Sequence, residues 1–97
     1  MHRYRFTLSA KSDLIEIWNY SVENWGGKKA EKYLQDIEDK LNQLAANPEL
    51  GKHRPEIAPG YYSFPVRKHI NFYLISDSHI DIIGILHRRM DIDKNLM

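Results

Sequence analysis

The spacing of the apolar residues changes twice along the chain, and this change limits the folds that the sequence can adopt. Tyr4, Phe6 and Leu8 alternate with polar residues, which is the two-residue period of a half-buried strand. Between residues 10 and 46 the apolar residues recur every three or four positions, as on one face of a helix. Beyond residue 60 the alternation returns. The pattern predicts a strand at 2–8, then helices, then further strands.

The helical region divides into two helices at a glycine pair. Ser9 is a suitable N-cap for the first helix, and Gly26 and Gly27 end it, because glycine enters the left-handed C-terminal cap without a Cβ clash. Asn47 ends the second helix, since the residue before proline disfavours the helical region. The apolar positions of the first helix are Leu14, Ile15, Trp18, Val22 and Trp25. Those of the second are Ala30, Tyr33, Leu34, Ile37, Leu41, Leu44 and Ala45. The charged side chains that we expect on its outer, solvated side are Lys29, Lys32, Asp36, Glu38, Asp39 and Lys40.

The last third of the chain predicts three strands. A proline- and glycine-containing loop at 48–60, long for a compact domain, precedes them. Two strands follow with alternating apolar residues at 62–66 and 70–74, and a third, rich in isoleucine, at 80–86. Pro65 places its strand at an edge or at a bulge, because proline lacks the N–H that a ladder needs. Gly84 is typical of a bulge or of a close backbone approach.

This order predicts an α+β fold. With 97 residues the chain has room for one domain, spanning 1–97. The elements follow one another as β-α-α-β-β-β, which favours a helical hairpin packed on one face of a mostly antiparallel four-stranded sheet.

Composition excludes several classes of function. Lysine and arginine exceed aspartate and glutamate by a single formal charge, +1, which provides no global field for nucleic acid or anionic lipid. The chain contains no cysteine, so disulfides and thiolate metal sites are excluded, and a reducing compartment fits. No apolar stretch approaches the ~20 residues of a membrane span, and the N-terminus lacks the apolar core of a signal peptide. We therefore expect an intracellular protein without a membrane partner.

Local motifs for metal, phosphate or nucleophilic chemistry are also lacking. The five histidines do not form a metal-binding spacing. Gly26 and Gly27 follow a helix and are not succeeded by the residues of a phosphate loop. No nucleophile elbow is present. We expect neither a cofactor nor a metal.

Two short basic clusters are the strongest candidates for a binding surface. Arg67 and Lys68 lie between strands, and His87, Arg88 and Arg89 follow the last strand. If the second and fourth predicted strands both pair with the third, the two clusters lie close together and form a local basic patch. The alternative is ordinary solvated charges, with Arg89 paired to Asp91.

The aromatic residues of the first helix have two interpretations as well. Trp18 and Trp25 are most simply core residues. An exposed part of their stripe would instead anchor a partner helix, because aromatic residues dominate interface hot spots.

Several of these segments together resemble one known family. They are Trp25 with Gly26, Ala30 with Tyr33, NPELGKHRPEI followed by Gly60 and YYSFPV, then His69, Ile70, Phe72 and Tyr73, and finally Ile85, Leu86, His87, Arg89, Met90 and Asp91. The composite covers nearly the whole chain and is similar to the ParE toxins of the RelE/ParE superfamily, from bacterial type II toxin-antitoxin systems. Relatives often carry arginine after Gly-Tyr, where this chain has Tyr62.

The resemblance implies a cytoplasmic bacterial toxin that inhibits DNA gyrase by binding, without chemistry of its own. A ParD-like antitoxin would neutralise it and would bind the operon DNA, which the toxin would reach only through its antitoxin. We assign the target-binding patch to Arg67, Lys68, His87, Arg88 and Arg89. The apolar stripe of Trp18, Trp25, Tyr33 and Ile37 is assigned to the antitoxin, since helix-in-groove binding and strand addition need apolar anchors.

Two other functions are kept as alternatives. The RelE-like branch of the superfamily cleaves mRNA in the ribosome, which needs an acid, a base and cations around the phosphate. Where RelE-like relatives tend to have strand arginines this chain has Tyr62, Pro65 and His69, and Ile92 stands in place of a terminal tyrosine. His87, Arg88 and Arg89 do stand at a RelE-like position. The other alternative is a non-toxic relative that only binds its antitoxin.

Overall fold

The computed structural model describes residues 3–88 as two helices packed on one five-stranded sheet. The elements in chain order are β1 (Tyr4–Phe6), α1 (Leu8–Trp25), α2 (Gly27–Ala46), a 3₁₀ turn (Pro48–Leu50), β2 (Lys52–His53), β3 (Tyr61–Val66), β4 (His69–Ile75) and β5 (Ile80–His87). The strand order is β1-β5-β4-β3-β2. Among the strands of residues 3–88, β1 alone runs parallel to its neighbour, β5, and the helical hairpin forms the crossover that this parallel pairing needs.

The predicted α+β fold and its element order are confirmed, with one correction in the strand count. The sheet has five strands rather than the predicted four, because Lys52 and His53 in the long loop pair with Ser63 and Tyr62. Both residues of β2 are exposed and polar, so no apolar alternation marks this strand in the sequence.

The first strand is shorter than predicted, because α1 begins at Leu8. Thr7, and not Ser9, is the N-cap: its Oγ1 accepts a hydrogen bond from the Ala10 amide at 3.1 Å. The same hydroxyl donates to the carbonyl oxygen of Ile83, and the Thr7 amide donates to that of Ile82. One residue therefore caps the helix and continues the β1–β5 ladder.

The two helices are separated by a single residue. Gly26 has a φ of 85° and donates its amide to the carbonyl oxygen of Val22, and a positive φ of this kind favours glycine, which has no Cβ. α2 starts at the next residue and runs to Ala46, with Asn47 as its C-cap. The predicted helical hairpin is confirmed, as are the end of its first helix at the glycine pair and the end of its second helix before Pro48.

The buried face of α1 differs from the predicted stripe. Ala10, Ile17 and Ser21 are its buried residues, whereas Ile15, Trp18 and Val22 are exposed by 61%, 38% and 37%. Small residues allow the helix to lie close to the sheet. The carboxylate of Asp13, on this face, accepts a hydrogen bond from the Ile85 amide at 3.0 Å. Leu14 and Trp25 of the predicted stripe do pack against the core, so the prediction is wrong for Ile15, Trp18 and Val22, and apolar spacing alone did not indicate the small and polar residues of the buried face.

The main core lies between the helices and the sheet. It combines Ile37, Leu41 and Leu44 of α2 with Tyr73 of β4 and with Ile80, Ile82 and Ile85 of β5, all essentially buried. A smaller cluster of Ile57, Phe72 and Leu86 lies on the opposite face of the sheet, under the loop that leads to β3. The predicted central position of the last strand is confirmed, since β5 pairs with strands on both sides.

Two local predictions for the sheet are also confirmed. The register between β4 and β5 shifts next to Gly84, where Phe72 faces Gly84 and Tyr73 faces Ile82, so that Ile83 is the extra residue of a bulge. Pro65 pairs with Ile70 on one side, and β2 does not extend far enough to face it on the other. Proline thus occupies an open sheet edge.

Candidate functional site

The two predicted basic clusters meet at one end of the sheet. The Arg88 amide donates a hydrogen bond to the carbonyl oxygen of Lys68 at 2.9 Å, and His87 lies opposite His69 in the β4–β5 register. The hairpin topology therefore gathers Lys68, His87 and Arg88, as the sequence predicted. Arg89, the last member of the patch, and its suggested partner Asp91 lie outside the described residues.

Arg67 is fixed by the tight turn in which it lies. This turn, Arg67–Lys68, connects β3 and β4, and Arg67 is the single non-glycine residue with positive φ, 53°, in the part of the chain that the structure describes. Its Nε donates to the carboxylate of Asp36 on α2 at 2.5 Å. Lys32 lies 3.4 Å from the other carboxylate oxygen. Desolvation acts to raise the Asp36 pKa, but the hydrogen bond and charge of Arg67, with Lys32, lower it below its ordinary value. Asp36 is thus an ion-pair partner of the turn rather than a simply solvated charge.

A buried hydrogen-bond network lies beneath this turn. The hydroxyl of Tyr33 is 2.6 Å from Nδ1 of His69 and accepts a hydrogen bond from the Lys68 amide at 3.2 Å. Burial, and next the neighbouring His87, lower the His69 pKa to about 4. His69 is therefore neutral at physiological pH. This contact is satisfied by the tautomer that carries its proton on Nε2, with the Tyr33 hydroxyl donating to Nδ1.

A basic pocket opens above the turn. We use this name for the cavity of about 340 Å³ lined by Trp25, Lys29, Lys32, Tyr33, Arg67 and Lys68. Lys68 lies over the Trp25 ring and Arg67 over the Tyr33 ring, at 5.7 Å and 5.9 Å from the ring centroids, within cation–π distance. Sequence reasoning missed Lys29 and Lys32, which were assigned to the solvated side of α2. No local sequence pattern places these two lysines next to the turn between β3 and β4.

A second cavity, of about 360 Å³, lies between α1 and the end of the sheet. It brings His69 and His87 opposite Asp13, Glu16 and Tyr20. Burial raises the pKa of Asp13 above its ordinary value, although its bond from the Ile85 amide acts in the other direction. Asp13 is bound to the backbone of β5, so it primarily positions the helix on the sheet.

The four residues assigned to the antitoxin do not form one exposed surface. Trp18 is 38% exposed, and Trp25 is partly buried in contact with Tyr33. Tyr33 and Ile37 are buried, with 6% and 1% of their surface exposed, because they lie on the sheet-facing side of α2. The exposed apolar face of the hairpin instead consists of Ile15, Trp18 and Val22 on α1.

The family-motif residues mostly hold the loop and turns in place. Gly60 has a φ of 81° immediately before β3, and Phe72 is fully buried in the outer cluster. The Tyr73 hydroxyl donates to the carbonyl oxygen of Pro48 at 2.7 Å and accepts from the Gly51 amide at 3.1 Å. Burial raises its pKa to about 12. His69 belongs to the network under the turn, whereas Met90 and Asp91 lie outside the described residues.

Neither a metal site nor a membrane span is found between residues 3 and 88. No group of three or more histidine, cysteine, aspartate or glutamate side chains is arranged there to hold an ion. Neither helix is long and apolar enough to cross a membrane.

The similarity to known proteins extends over nearly the entire chain. The family model described as the ParE toxin of the type II toxin-antitoxin system, parDE, matches residues 4–92. This chain belongs to the ParE toxin family. Toxin ParE1 of Mycobacterium tuberculosis is 38% identical to it over 95 residues, which cover 97% of each chain. Toxin ParE1 of Caulobacter vibrioides is 30% identical over 96 residues, 99% of each chain. The resemblance drawn from the sequence motifs is thus confirmed, and the chain is a ParE toxin of a type II toxin-antitoxin system.

Solved structures support the same fold. A chain of the chromosomal ParDE system from P. aeruginosa superposes with a TM-score of 0.76 at 26% identity, covering 90% of this ParE toxin and 96% of that chain. A chain of the RelBE2 complex from Mycobacterium tuberculosis superposes with a TM-score of 0.59 at 23% identity, covering 90% and 98%. At that identity the second likeness concerns the fold alone.

Proposed function

We propose that this ParE toxin inhibits DNA gyrase by binding, and that a ParD-like antitoxin neutralises it. The observation that carries the proposal is the convergence of Arg67, Lys68, His87 and Arg88 at one end of the sheet, in a chain of the ParE family. With a formal charge of only +1 overall, a local basic patch is the feature best suited to select an acidic surface on a large partner.

The rigid backbone beneath the patch supports recognition by shape. The turn at Arg67 is held by Asp36, and the Lys68 amide and carbonyl are bonded to Tyr33 and Arg88 respectively. Such a backbone loses little entropy when a partner binds, so the ordering cost is confined to the rotamers of the side chains. Inhibition by binding requires this kind of preformed surface and no chemical step.

The antitoxin is assigned to the outer face of α1. Ile15, Trp18 and Val22 recur at the helical spacing that an amphipathic helix of a partner recognises. Of the four residues that the sequence suggested, Trp18 makes this contact directly, and the buried Tyr33 and Ile37 support the hairpin from below. The operon DNA is reached only through the antitoxin. We place the toxin in the cytoplasm, where gyrase acts, as one domain formed by the whole chain and without a cofactor.

One observation favours the RelE-like alternative. His87 lines a cavity with His69, Asp13 and Glu16, so acid and base side chains do lie together. Nδ1 of His69 is nevertheless bonded to Tyr33, and Tyr62 stacks on Tyr73 and His53. His69 and Tyr62 therefore do not supply the positive charge that a phosphorane transition state needs. Gyrase inhibition therefore accounts better for the patch.

Purified gyrase provides the test. We expect the toxin to inhibit supercoiling, and the double variant Lys68→Glu/Arg88→Glu to lose inhibition by roughly tenfold or more, since like-charge contacts cost several kcal/mol at an interface. Lys11→Glu/Lys52→Glu is the matched control, with the same change in charge at exposed positions away from the patch. Ribosome-dependent RNA cleavage that is lost in His87→Ala, with supercoiling unaffected by the wild-type toxin, would instead support the nuclease.

A further inference from the structure

The basic pocket has a strong local excess of positive charge. Lys29, Lys32, Arg67 and Lys68 line it, and Asp36 is the carboxylate paired with two of them. The side chains of Lys32 and Arg67 are 72% and 55% exposed, so these pairs are well hydrated and contribute little to stability. Lys32 and Arg67 therefore gain little from this pairing, and one carboxylate against four cations leaves net positive charge for an incoming anion.

The walls of the pocket are aromatic. The rings of Trp25 and Tyr33 lie 5.6 Å apart, tilted by 51°, and each carries a cation over its face. Tyr33 cannot turn away, because its hydroxyl is bonded to His69 and Lys68. The site thus combines an apolar surface with ammonium and guanidinium groups around it, an arrangement that suits a carboxylate next to an aliphatic or aromatic side chain.

The shape of the site favours a protein segment over a nucleic acid. Nucleic-acid backbones present a charge every few ångströms and need cations along an extended track. Here the cations surround one cavity of about 340 Å³, and the chain as a whole carries a formal charge of only +1. A cavity of this size accepts one or two side chains of a peptide.

We infer that the basic pocket binds an acidic peptide segment of the toxin's target, with a carboxylate among Lys29, Lys32 and Lys68 and an adjoining apolar side chain on Trp25. This inference deepens the proposed function, on which it rests for the identity of the partner, because Arg67 and Lys68 belong to both the pocket and the target-binding patch. The pocket adds Trp25, Lys29 and Lys32 to that patch. It lies beyond the C-terminal end of the α1 face that we assign to the antitoxin.

The two tryptophans allow a direct test by NMR. Trp25 lines the pocket, whereas Trp18 lies on the outer face of α1, so their indole N–H signals separate the two surfaces, with Trp18→Phe supplying the assignment. The probe is the capped hexapeptide Glu-Glu-Leu-Glu-Glu-Leu. We expect it to shift the Trp25 signal and leave the Trp18 signal in place. The corresponding peptide with glutamine for glutamate, and hexathymidylate, should bind more weakly.

Variants of the pocket decide whether its cations cause the binding. Lys29→Gln/Lys32→Gln should weaken peptide binding roughly threefold to twentyfold, as expected for two partly exposed charge pairs, and Lys11→Gln/Lys52→Gln should not. Shifts at Trp18 instead of Trp25, stronger binding of the oligonucleotide, or equal effects of both double variants would each overturn the inference.

The same variants separate this inference from the proposed function. If the toxin inhibits gyrase but Lys29→Gln/Lys32→Gln alters neither inhibition nor peptide binding, the pocket is not the acidic site and the inference is wrong. If the peptide binds at Trp25 while the toxin leaves gyrase unaffected, the ligand class stands and the proposed target is wrong.

Discussion

The hydroxyl of Tyr33 lies 2.6 Å from Nδ1 of His69, and this contact joins α2 to the first residue of β4. The Lys68 amide donates to the same hydroxyl, so one phenol orders both the imidazole and the turn that carries the basic patch. Recognition at this end of the sheet thus depends on Tyr33, although only 6% of its surface is exposed.

The titration of His69 is the first prediction. Its folded pKa of about 4 lies below the ordinary value of 6.5, so the unfolded chain binds this proton more readily than the folded one. The contribution of His69 to stability is therefore complete above about pH 6.5 and is lost as the pH falls towards 4. A two-dimensional NMR titration should show His69 neutral at pH 5.5. Midpoints above 6 for all histidines would contradict this.

Tyr33→Phe should weaken the fold and release the histidine. The substitution keeps the ring but leaves the Lys68 amide and His69 Nδ1 without their partner, at a cost of roughly 1 to 3 kcal/mol in the free energy of unfolding. The His69 pKa should rise, because the neutral imidazole loses a donor. Urea denaturation and the same NMR titration measure both effects. Tyr20→Phe, at a ring that is 59% exposed, is the control, and an equal loss of stability there would contradict the account.

Two glycines should respond in opposite ways to substitution by alanine: Gly51, in the loop before β3, and Gly27, the first residue of α2. A Cβ on Gly51 would lie 2.8 Å from the Ser63 carbonyl oxygen and would collide with the Tyr73 hydroxyl. Gly51→Ala should therefore destabilise the protein by about 1 to 3 kcal/mol, as overpacking does. At Gly27 a Cβ meets nothing within 4 Å, and Gly27→Ala should stabilise by about 0.4 to 1 kcal/mol. Thermal denaturation compares the two, and the reverse order would contradict the local geometry.

The outer face of α1 should be needed for the antitoxin and not for folding. Ile15→Ser/Trp18→Ser removes two exposed apolar side chains, so the melting temperature should change little while antitoxin affinity falls by roughly a hundredfold, the range for hot-spot residues. Calorimetry with a ParD-like antitoxin that binds the wild-type toxin measures this loss. Lys11→Ser/Glu23→Ser provides the exposed control on the same helix. Unchanged affinity in the apolar variant would place the antitoxin elsewhere.

The sequence predicted the element order because its apolar period changes clearly at the glycine pair and at the long loop. It predicted the meeting of the two basic clusters because strand-end residues of a hairpin meander are neighbours. It was wrong for part of α1, where Ala10 and Ser21 are buried and Asp13 is bonded to β5, whereas the more apolar Ile15 and Trp18 are exposed. The basic pocket was also not predictable, since no local pattern indicates that Lys29 lies near the β3–β4 turn.

The central claim is most directly tested by producing the toxin without its antitoxin in a bacterial host and pulse-labelling DNA and protein synthesis in the first minutes. We predict that DNA synthesis falls first and that broken, gyrase-linked DNA accumulates. The Lys68→Glu/Arg88→Glu variant should delay this loss, whereas Lys11→Glu/Lys52→Glu should not. Protein synthesis that collapses first while DNA synthesis continues would contradict gyrase inhibition and point to His87 as part of a nuclease. Unimpaired growth would identify a relative that only binds its antitoxin.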